Sequence, residues 1–243
     1  MKALLLAAGL GSRLRPITNV TPKCLVEIYG RPLLDYWFDL LGKGDIDEVI
    51  INTHHLADEV STYLQNRFFQ IPVRQVYEKE LLGTAGTLLK NRTFYQNEPI
   101  LLIHADNLSV FSLKKFIDTF ISRQRGIEIT MMTFTTDIPE NCGIVELDHD
   151  GVVIKFYEKS QLDHGRIANG AVYIVSPAVL NFIESLKKSE VDFSTEVIPK
   201  FLGKINTFHN DIYHRDIGNH SSLELARSEF PSLFKEWNFE RDI

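Results

Sequence analysis

The stretch Lys2-Ala3-Leu4-Leu5-Leu6-Ala7-Ala8-Gly9-Leu10-Gly11-Ser12-Arg13-Leu14 joins a short apolar run to a loop with two glycines. The run at 2–7 predicts a buried strand, and glycines directly after a strand let backbone N–H groups close around an anion. Leu14 stands where the dinucleotide pattern needs a third glycine, and the Gly-Lys-Ser/Thr of a P-loop is missing. The loop instead carries Arg13 and Arg15, whose guanidinium groups suit phosphate oxygens. Taken alone, such a loop is more often a tight turn with two solvated arginines.

Outward from this loop, apolar runs and amphipathic stretches alternate as far as residue 135. We predict strands at 47–52, 73–77, 99–104 and 127–135, and helices at 32–43, 55–65, 84–94 and 112–124. Strand, helix, strand at this spacing indicates βαβ units, and therefore a parallel sheet with helices on both faces.

The pattern changes to shorter, closely spaced strands from about residue 142. An Asp-Gly turn between two alternating strands predicts a hairpin around 148–151. We further predict a strand at 169–175, a helix beginning at Ser176-Pro177, a helix at 193–202, one or two strands within 204–213 and a helix at 219–228. No linker rich in Pro, Gly or Ser divides the two halves. We therefore predict one α/β domain, 1–243, with a Rossmann-like, mostly parallel central sheet, helices on both faces and a strand-rich second half.

Charge and composition exclude several classes of function. With 26 Lys and Arg residues against 32 Asp and Glu, the formal net charge is −6. This balance disfavours a nucleic-acid binder, which needs a basic surface, but it is compatible with a small anionic ligand. No apolar stretch approaches the roughly 18 residues of a membrane span, and the N-terminal run is too short for a signal sequence. Cys24 and Cys142 show neither zinc nor disulfide spacing, so we expect a cytoplasmic protein with no membrane partner.

Further motifs follow the glycine loop in a fixed order. They are Pro22-Lys23, Leu82-Gly83-Thr84-Ala85-Gly86, Asp106, Glu158-Lys159, Asn169-Gly170 and Asp216. Together with Gly9-Leu10-Gly11-Ser12-Arg13-Leu14 they resemble the sugar-1-phosphate nucleotidyltransferases (NDP-sugar pyrophosphorylases), and most closely the mannose-1-phosphate guanylyltransferase-like members. The resemblance runs from residue 3 to about residue 228. It implies the nucleotide-diphospho-sugar transferase fold, with 1–135 mainly binding nucleotide, 136–228 mainly binding sugar, and no C-terminal β-helix domain.

Two positions depart from the family pattern. Ala8 stands where many members have glycine, although the loop can still form. His104-Ala105 stands where members commonly have a glycine immediately before the aspartate. His104 therefore lies beside the expected metal site with no family role to inherit. The histidines show no zinc-binding spacing, and we assign none of them a role.

The resemblance implies an Mg²⁺-dependent reaction in which an NTP and a sugar 1-phosphate give an NDP-sugar and pyrophosphate. The sugar phosphate attacks the α-phosphorus in line. Because it is already an anion it needs no strong general base, and positioning and charge neutralisation carry the catalysis. The resemblance assigns Arg13 and Lys23 as catalytic residues, and Asp106 and Asp216 as Mg²⁺ ligands. Carboxylates at strand ends suit such a site, although an Asx turn or a helix cap would by itself explain either aspartate.

The same resemblance assigns the substrate contacts. The nucleotide-binding residues it implies are Leu6, Ala8, Gly9, Gly11, Ser12, Glu80, Gly83, Thr84 and Ala85. The sugar-binding residues it implies are Asn107, Gly143, Glu158, Lys159, Asn169 and Gly170. A Glu80 carboxylate that accepts from N1–H and N2–H of guanine would favour GTP. We expect GTP with a mannose-like sugar 1-phosphate, a homodimer of the commonest symmetry and a role in polysaccharide biosynthesis; a dTTP- or UTP-dependent enzyme is the alternative within the family.

Two other classes share parts of this pattern. A glycosyltransferase that uses nucleotide sugars also has metal-binding aspartates, but usually as an Asp-x-Asp pair, which Asp106-Asn107-Leu108 lacks. Such an enzyme would also leave Arg13 and Lys23 without a role. A sensor that binds nucleotide sugars without turnover would be expected to have lost Arg13, Lys23 or a metal carboxylate, and all are present.

Overall fold

The central sheet of the computed structural model has nine strands, and the structure describes residues 1–239. The strands of this sheet and of two small sheets are β1 (Lys2–Leu6), β2 (Glu27–Ile28), β3 (Arg31–Pro32), β4 (Glu48–Thr53), β5 (Val73–Tyr77), β6 (Ile100–His104), β7 (Asn107–Val110), β8 (Ile129–Thr135), β9 (Gly143–Leu147), β10 (Val153–Glu158), β11 (Ile167–Val175), β12 (Ile205–Asn210) and β13 (Tyr213–Asp216). The helices are α1 (Leu33–Gly42), α2 (Ala57–Gln65), α3 (Gly83–Lys90), α4 (Arg92–Tyr95), α5 (Leu113–Ile121), α6 (Pro177–Ser185) and α7 (His220–Phe239). The last four residues of the predicted domain 1–243 lie outside the described residues.

Four neighbouring strands, in the order β6-β1-β4-β5, are parallel. On the other side of β6, β11 pairs antiparallel with β6, β8 and β9, and β12 runs parallel to β8. The prediction of an α/β fold with a mostly parallel central sheet is confirmed. The antiparallel strands β9, β10 and β11 come from the strand-rich second half.

The apolar runs of the parallel strands are buried on both faces, as in sheets covered on two sides. Leu5 and Ile103 pack on one face with α1 and α5. Leu4 and Leu102 pack on the opposite face with α3 and α6. Each such side chain contributes about 1.5–3 kcal/mol when fully buried. The predicted helices on both faces are therefore present, and they hold the sheet that carries the site.

A two-stranded antiparallel ribbon, β7 with β13, stands apart from the central sheet. No strand was predicted at 107–110. The register pairs Asn107 with Asp216 and Ser109 with His214. The ribbon therefore brings Asp216 to the carboxyl end of β6.

One predicted α-helix is replaced by a wider and a tighter helical turn. The segment 193–202 forms a π-helical turn at Phe193–Val197 and then a 3-10 turn at Ile198–Lys200. Pro199 has no N–H to donate to an α-helical ladder, which accounts for the change of helix type. The helix predicted at 84–94 is likewise divided, into α3 and α4.

The helices of residues 1–239 include none with the length and apolar character that crossing a membrane requires. Both cysteines, Cys24 and Cys142, are free thiols. Burial raises the pKa of the Cys24 thiol to about 12, so this group is protonated at neutral pH.

Candidate active site

Two distant carboxylates meet at one lysine beyond the end of β6. Asp106 follows β6 directly, and the β7–β13 register delivers Asp216 beside it. Lys23 lies in a short 3-10 turn that begins after Pro22. Its Nζ is 2.5 Å from Oδ2 of Asp106 and 3.3 Å from Oδ1 of Asp216. The predicted catalytic lysine therefore sits between the two predicted metal ligands.

This ion pair sets the charge of the site. Burial alone would lower the pKa of Lys23, but the charges of Asp106 and Asp216 outweigh it and raise the pKa above its ordinary value. Burial alone would raise the pKa of Asp106, and the neighbouring Lys23 charge reverses the direction and lowers it. At neutral pH Lys23 is thus an ammonium and Asp106 a carboxylate.

Arg13 reaches the same place from the glycine loop. A Cβ atom added at Gly218 would lie 2.6 Å from Oδ2 of Asp216 and 3.0 Å from Nη2 of Arg13. Only a residue without a side chain leaves room there for both charged groups. At Gly11 φ is +60°, a conformation that favours glycine, and Thr18 Oγ1 donates to its carbonyl at 2.7 Å. The loop is therefore fixed while Arg13 stays exposed.

A cavity of about 480 Å³ opens over these groups. Its wall contains the predicted residues Arg13, Lys23, Asp106, Asn107, Gly143, Glu158, Lys159, Asn169 and Asp216. The structure therefore brings both predicted catalytic residues, both metal ligands and most of the sugar-side residues together. The wall also contains His104, which the sequence marked as a departure from the family pattern, and polar residues that the sequence did not single out, Thr136, Asp137, Asn141, Ser194 and Arg215. No motif marks these five, and no signal in the sequence points to them.

Several sugar-side residues of the wall are held by contacts with their neighbours. The carboxylate of Glu158 lies 3.5 Å from Nζ of Lys159. Asn169 Nδ2 donates to the Tyr173 hydroxyl at 2.7 Å, which fixes the amide. A Cβ at Gly143 would lie 2.9 Å from Oε2 of Glu158, so the glycine leaves space for that carboxylate.

Two predicted sugar-side residues are held by packing. The Asn107 side chain is buried, and its Nδ2 donates to the Gly170 carbonyl at 3.3 Å. Gly170 itself is not among the wall residues. A Cβ there would meet Cε of Met132 at 2.6 Å, so the packing leaves little room for a side chain. These contacts give Asn107 and Gly170 a structural task, and their contact with sugar stays a prediction.

The predicted nucleotide-binding residues lie outside this wall. They are Leu6, Ala8, Gly9, Gly11, Ser12, Glu80, Gly83, Thr84 and Ala85. Among them, Gly9, Ser12 and Glu80 are exposed. Their contact with nucleotide stays a prediction.

The residues at the beginning of α3 make packing and hydrogen-bond contacts with the segment 191–193. Thr84 Oγ1 donates to Asp192 at 3.2 Å and accepts from the Phe193 N–H at 2.7 Å. The Ala85 N–H donates to the Val191 carbonyl at 2.9 Å. At Gly83 φ is +72°, and a Cβ would lie 2.5 Å from that carbonyl oxygen. This glycine is therefore required by the packing of the chain, whatever else it contacts.

Two histidines of the site are neutral. Burial lowers the pKa of His214 to about 3, and Ser109 Oγ lies 2.6 Å from its Nδ1. Burial also lowers the pKa of His104. Nε2 of His104 is enclosed and has no hydrogen-bond partner within residues 1–239.

The acidic groups fit a cation that arrives with a phosphate ligand. Residues 1–239 hold no cluster of three or more His, Cys, Asp or Glu side chains able to bind a metal ion. Asp106 and Asp216 contact one ammonium, so their oxygens lie close enough to share a cation as well. Mg²⁺ typically takes one or two carboxylates and completes its shell with substrate phosphates and water. The donor set matches that requirement and not a closed protein cage.

Comparisons with known proteins agree with this arrangement. The nucleotidyl transferase family matches residues 2–231. The chain is 33% identical over 231 residues to a D-glycero-α-D-manno-heptose 1-phosphate guanylyltransferase from Aneurinibacillus thermoaerophilus, covering 94% of this chain and 98% of the relative. It is 31% identical to mannose-1-phosphate guanylyltransferase 1 of Arabidopsis thaliana, covering 82% of this chain but only 56% of that longer relative.

Solved structures extend the likeness to the fold. A Bacillus anthracis protein assigned as a glucose-1-phosphate thymidylyltransferase, in complex with sucrose, superposes with a TM-score of 0.85 at 25% identity and 94% coverage of both chains. HddC from Yersinia pseudotuberculosis, complexed with GMP-PN, gives a TM-score of 0.77 at 26% identity, covering 94% of this chain and 99% of that one. The chain therefore belongs to the nucleotidyl transferase family, as an enzyme of the sugar-1-phosphate nucleotidyltransferase class.

Proposed function

We propose that the protein transfers GMP from GTP to a mannose-like sugar 1-phosphate, hexose or heptose, and releases pyrophosphate. The observation that carries the proposal is the meeting of Arg13, Lys23, Asp106 and Asp216 at one cavity whose far wall holds sugar-side residues. The guanine preference and the manno configuration are supported by the similarity to a D-glycero-α-D-manno-heptose 1-phosphate guanylyltransferase, of whose length 98% is matched.

The chemistry needs charge neutralisation more than proton transfer. An oxygen of the sugar phosphate attacks the α-phosphorus, a new P–O bond forms, and the bond to the departing pyrophosphate breaks. Both reactants are anions, so cations must offset their repulsion and the charge that develops on the leaving group. Arg13, exposed at the mouth of the cavity and permanently charged, is suited to the pyrophosphate. Lys23, whose raised pKa keeps it charged, is suited to the α-phosphate or the sugar phosphate.

Asp106 and Asp216 would hold Mg²⁺, which when bound supplies positive charge between the two phosphate groups. Lys23 occupies the position between these carboxylates. With Mg²⁺ at the carboxylates, the Lys23 ammonium would be available to bind phosphate.

The nucleotide would lie over the glycine loop and the beginning of α3. Gly9 is exposed and Gly11 half-buried, and Ser12 is exposed beside Arg13. The exposed Glu80 carboxylate can accept from N1–H and N2–H of guanine, which uracil and thymine do not offer in that pattern. On the other side, Glu158 and Asn169 would read sugar hydroxyls, and Lys159 would contact the sugar phosphate.

The proposal also covers the location and the oligomeric state of the enzyme. We propose a cytoplasmic homodimer, on the grounds of its free thiols and of the prevalence of twofold symmetry. A nucleotide sugar is an activated donor, so the product would serve the assembly of a polysaccharide. Sedimentation at several protein concentrations tests the dimer.

Pyrophosphate release tests the reaction and both substrates together. The purified protein is mixed with Mg²⁺ and with GTP, dTTP, UTP, CTP or ATP, each against a panel of sugar 1-phosphates. We expect release with GTP and a manno-configured sugar 1-phosphate. Release with dTTP or UTP alone would move the enzyme to the thymidylyl- or uridylyltransferases, to which the Bacillus anthracis structure is assigned. No release with any pair would contradict the proposal.

Arg13→Ala supplies the matched control for that assay. The side chain is exposed, so its loss leaves the fold intact. We expect turnover to fall about a hundredfold or more, as for the loss of a charge contact made in the transition state, with an unchanged melting temperature. Near-normal turnover in this variant would contradict the role given to Arg13.

A further inference from the structure

His104 is a wall residue of the active-site cavity that the proposed reaction leaves without a task. It is the last residue of β6, two positions before Asp106. It lines the same cavity as Glu158 and Asn169. The nucleotide-binding candidates at 82–86 are not among the residues of that wall. His104 thus belongs to the part of the cavity assigned to the sugar.

The surroundings of the ring leave one nitrogen unused. Nε2 is enclosed and has no hydrogen-bond partner within the described chain, residues 1–239. The ring lies edge-on to Tyr173, with centroids 6.5 Å apart. The Tyr173 hydroxyl is already engaged by Asn169, at 2.7 Å. Buried polar atoms in proteins are almost always hydrogen-bonded, so an exception in a ligand cavity calls for a partner that the ligand brings.

We propose that His104 is a specificity-determining residue for the sugar 1-phosphate and that its ring exchanges a hydrogen bond with a sugar hydroxyl. A neutral imidazole has one donor and one acceptor nitrogen, which suits a hydroxyl because a hydroxyl both donates and accepts. It does not suit a phosphate as well as Arg13 and Lys23 do, since these carry permanent or stabilised positive charge. The inference rests on the proposed function, because it names a contact within the same site.

The proposed contact requires the ring to turn, because Nε2 is enclosed. No hydrogen bond holds Nε2 in place. A half-turn about the Cβ–Cγ bond exchanges Nε2 with Cε1, and the χ2 torsion of histidine is broad and roughly two-fold. The turn therefore breaks no hydrogen bond of Nε2. The Tyr173 ring, which lies edge-on to His104, is buried, and its hydroxyl is held by Asn169.

The test compares His104→Leu, His104→Gln and the control His149→Leu by steady-state pyrophosphate release. His149 lies on the hairpin turn with its side chain 89% exposed, away from the cavity. We expect His104→Leu to raise KM for the sugar 1-phosphate about tenfold or more, with KM for GTP within about twofold. His104→Gln, which offers an amide nitrogen or oxygen near the position of Nε2, recovers most of the loss. His149→Leu behaves as the unaltered enzyme.

Monodeoxy sugar 1-phosphates separate recognition from a structural effect. For the analogue that lacks the hydroxyl bound by His104, the unaltered enzyme and His104→Leu have the same kcat/KM within about twofold. For the parent sugar they differ about tenfold or more. A structural role would lower kcat/KM for the parent and for every analogue by the same factor.

Several results of these experiments would overturn the role proposed for His104. An unchanged sugar KM in His104→Leu, an equal rise in KM for GTP and sugar, or a uniform loss across all analogues overturns the inference. If His104→Leu does not fold, judged by its melting curve, the same comparison of analogues is made between His104→Ala, which also removes the imidazole, and the unaltered enzyme. Absence of turnover by the unaltered enzyme with every pair of substrates overturns the proposed function itself, whereas normal turnover with no analogue effect overturns the role of His104 alone.

Discussion

Lys23 is the residue that joins the two carboxylates of the site. Its side chain is 9% exposed, and its ammonium contacts Asp106 and Asp216 together. The family resemblance implied a catalytic role for Lys23 and metal binding by the two aspartates. The ion pair between them could not be predicted, because sequence spacing says nothing about which partner a lysine takes before the substrates bind. That partner is itself a consequence of the β7–β13 ribbon.

Lys23→Met tests whether the ammonium and a divalent cation compete for the carboxylates. The substitution keeps a long unbranched side chain and removes the charge. Without nucleotide, we expect Lys23→Met to bind Mn²⁺ about tenfold more tightly than the unaltered protein, because two adjacent carboxylates lose their counter-charge. The EPR signal of free Mn²⁺ measures the affinity. Equal affinity in the two proteins would show that the Lys23 ammonium does not compete with the cation for the carboxylates.

Gly218 is a positioning residue that no motif singled out. A Cβ there would press on the far ends of two mobile side chains, Asp216 and Arg13, at 2.6 and 3.0 Å. We expect Gly218→Ala to fold normally and to lose about tenfold in kcat, because displaced reacting groups lose effective alignment. The neighbouring exposed Ser221→Ala is the control. Unchanged kcat in Gly218→Ala would mean that both side chains move aside without cost.

At the scale of elements, the beginning of α3 is fastened to the segment before the π-helical turn. The Ala85 and Gly86 N–H groups donate to the Val191 carbonyl, and Val191 donates back to Leu82. The sequence indicated a glycine-containing loop before a helix here, and it indicated a regular helix at 193–202. It did not indicate that the two meet, because such a contact between distant segments leaves no local pattern in either.

The two glycines Gly83 and Gly203 make a matched pair for this contact. Both have positive φ, +72° and +78°, but only at Gly83 would a Cβ meet another atom, the Val191 oxygen at 2.5 Å. We expect Gly203→Ala to cost about 1 kcal/mol of unfolding free energy from backbone strain. Gly83→Ala should cost about 3 kcal/mol, since steric overlap with backbone adds to the strain. Urea denaturation measures both, and equal costs would contradict the packing role of Gly83.

His214 in the β7–β13 ribbon is expected to make the unfolding free energy of the protein depend on pH. His214 lies opposite Ser109 in its register and packs on Phe134, with ring centroids 4.2 Å apart. Burial lowers the folded-state pKa of His214 to about 3, below its value in the unfolded chain. The unfolded chain therefore takes up the proton first, and the stability due to neutral His214 is lost as pH falls from about 6.5 towards 3.

His214→Gln removes this titration while keeping a hydrogen-bonding side chain. Between about pH 7 and pH 5, we expect the unaltered protein to lose about 2 kcal/mol of unfolding free energy more than the variant does. Urea denaturation at the two pH values gives the comparison. The same loss in both proteins would mean that His214 does not titrate with folding.

For the whole molecule, the sequence predicted the features that depend on local patterns and on the order of motifs along the chain. The run at Lys2–Leu6 and its glycine loop are local patterns, and they correctly predicted the strand, the turn and the parallel sheet built on it. Asp106, Glu158 and Asn169 were assigned by their order along the chain, and they do line one cavity. The pairing of β7 with β13 and the unpartnered nitrogen of His104 depend on contacts between distant segments. Such contacts are set by the whole fold and have no local signature.

The path of the sugar phosphate oxygens tests the central claim most directly. The sugar 1-phosphate is prepared with ¹⁸O in its phosphate and incubated with GTP, Mg²⁺ and the enzyme, and the products are followed by ³¹P NMR. Attack by that phosphate on the α-phosphorus predicts all of the label in the nucleotide sugar, with one labelled oxygen bridging its two phosphorus atoms and the rest on the phosphate next to the sugar, and none in pyrophosphate. Label in released inorganic phosphate, or unlabelled nucleotide sugar, would place bond cleavage at the sugar carbon and contradict nucleotidyl transfer.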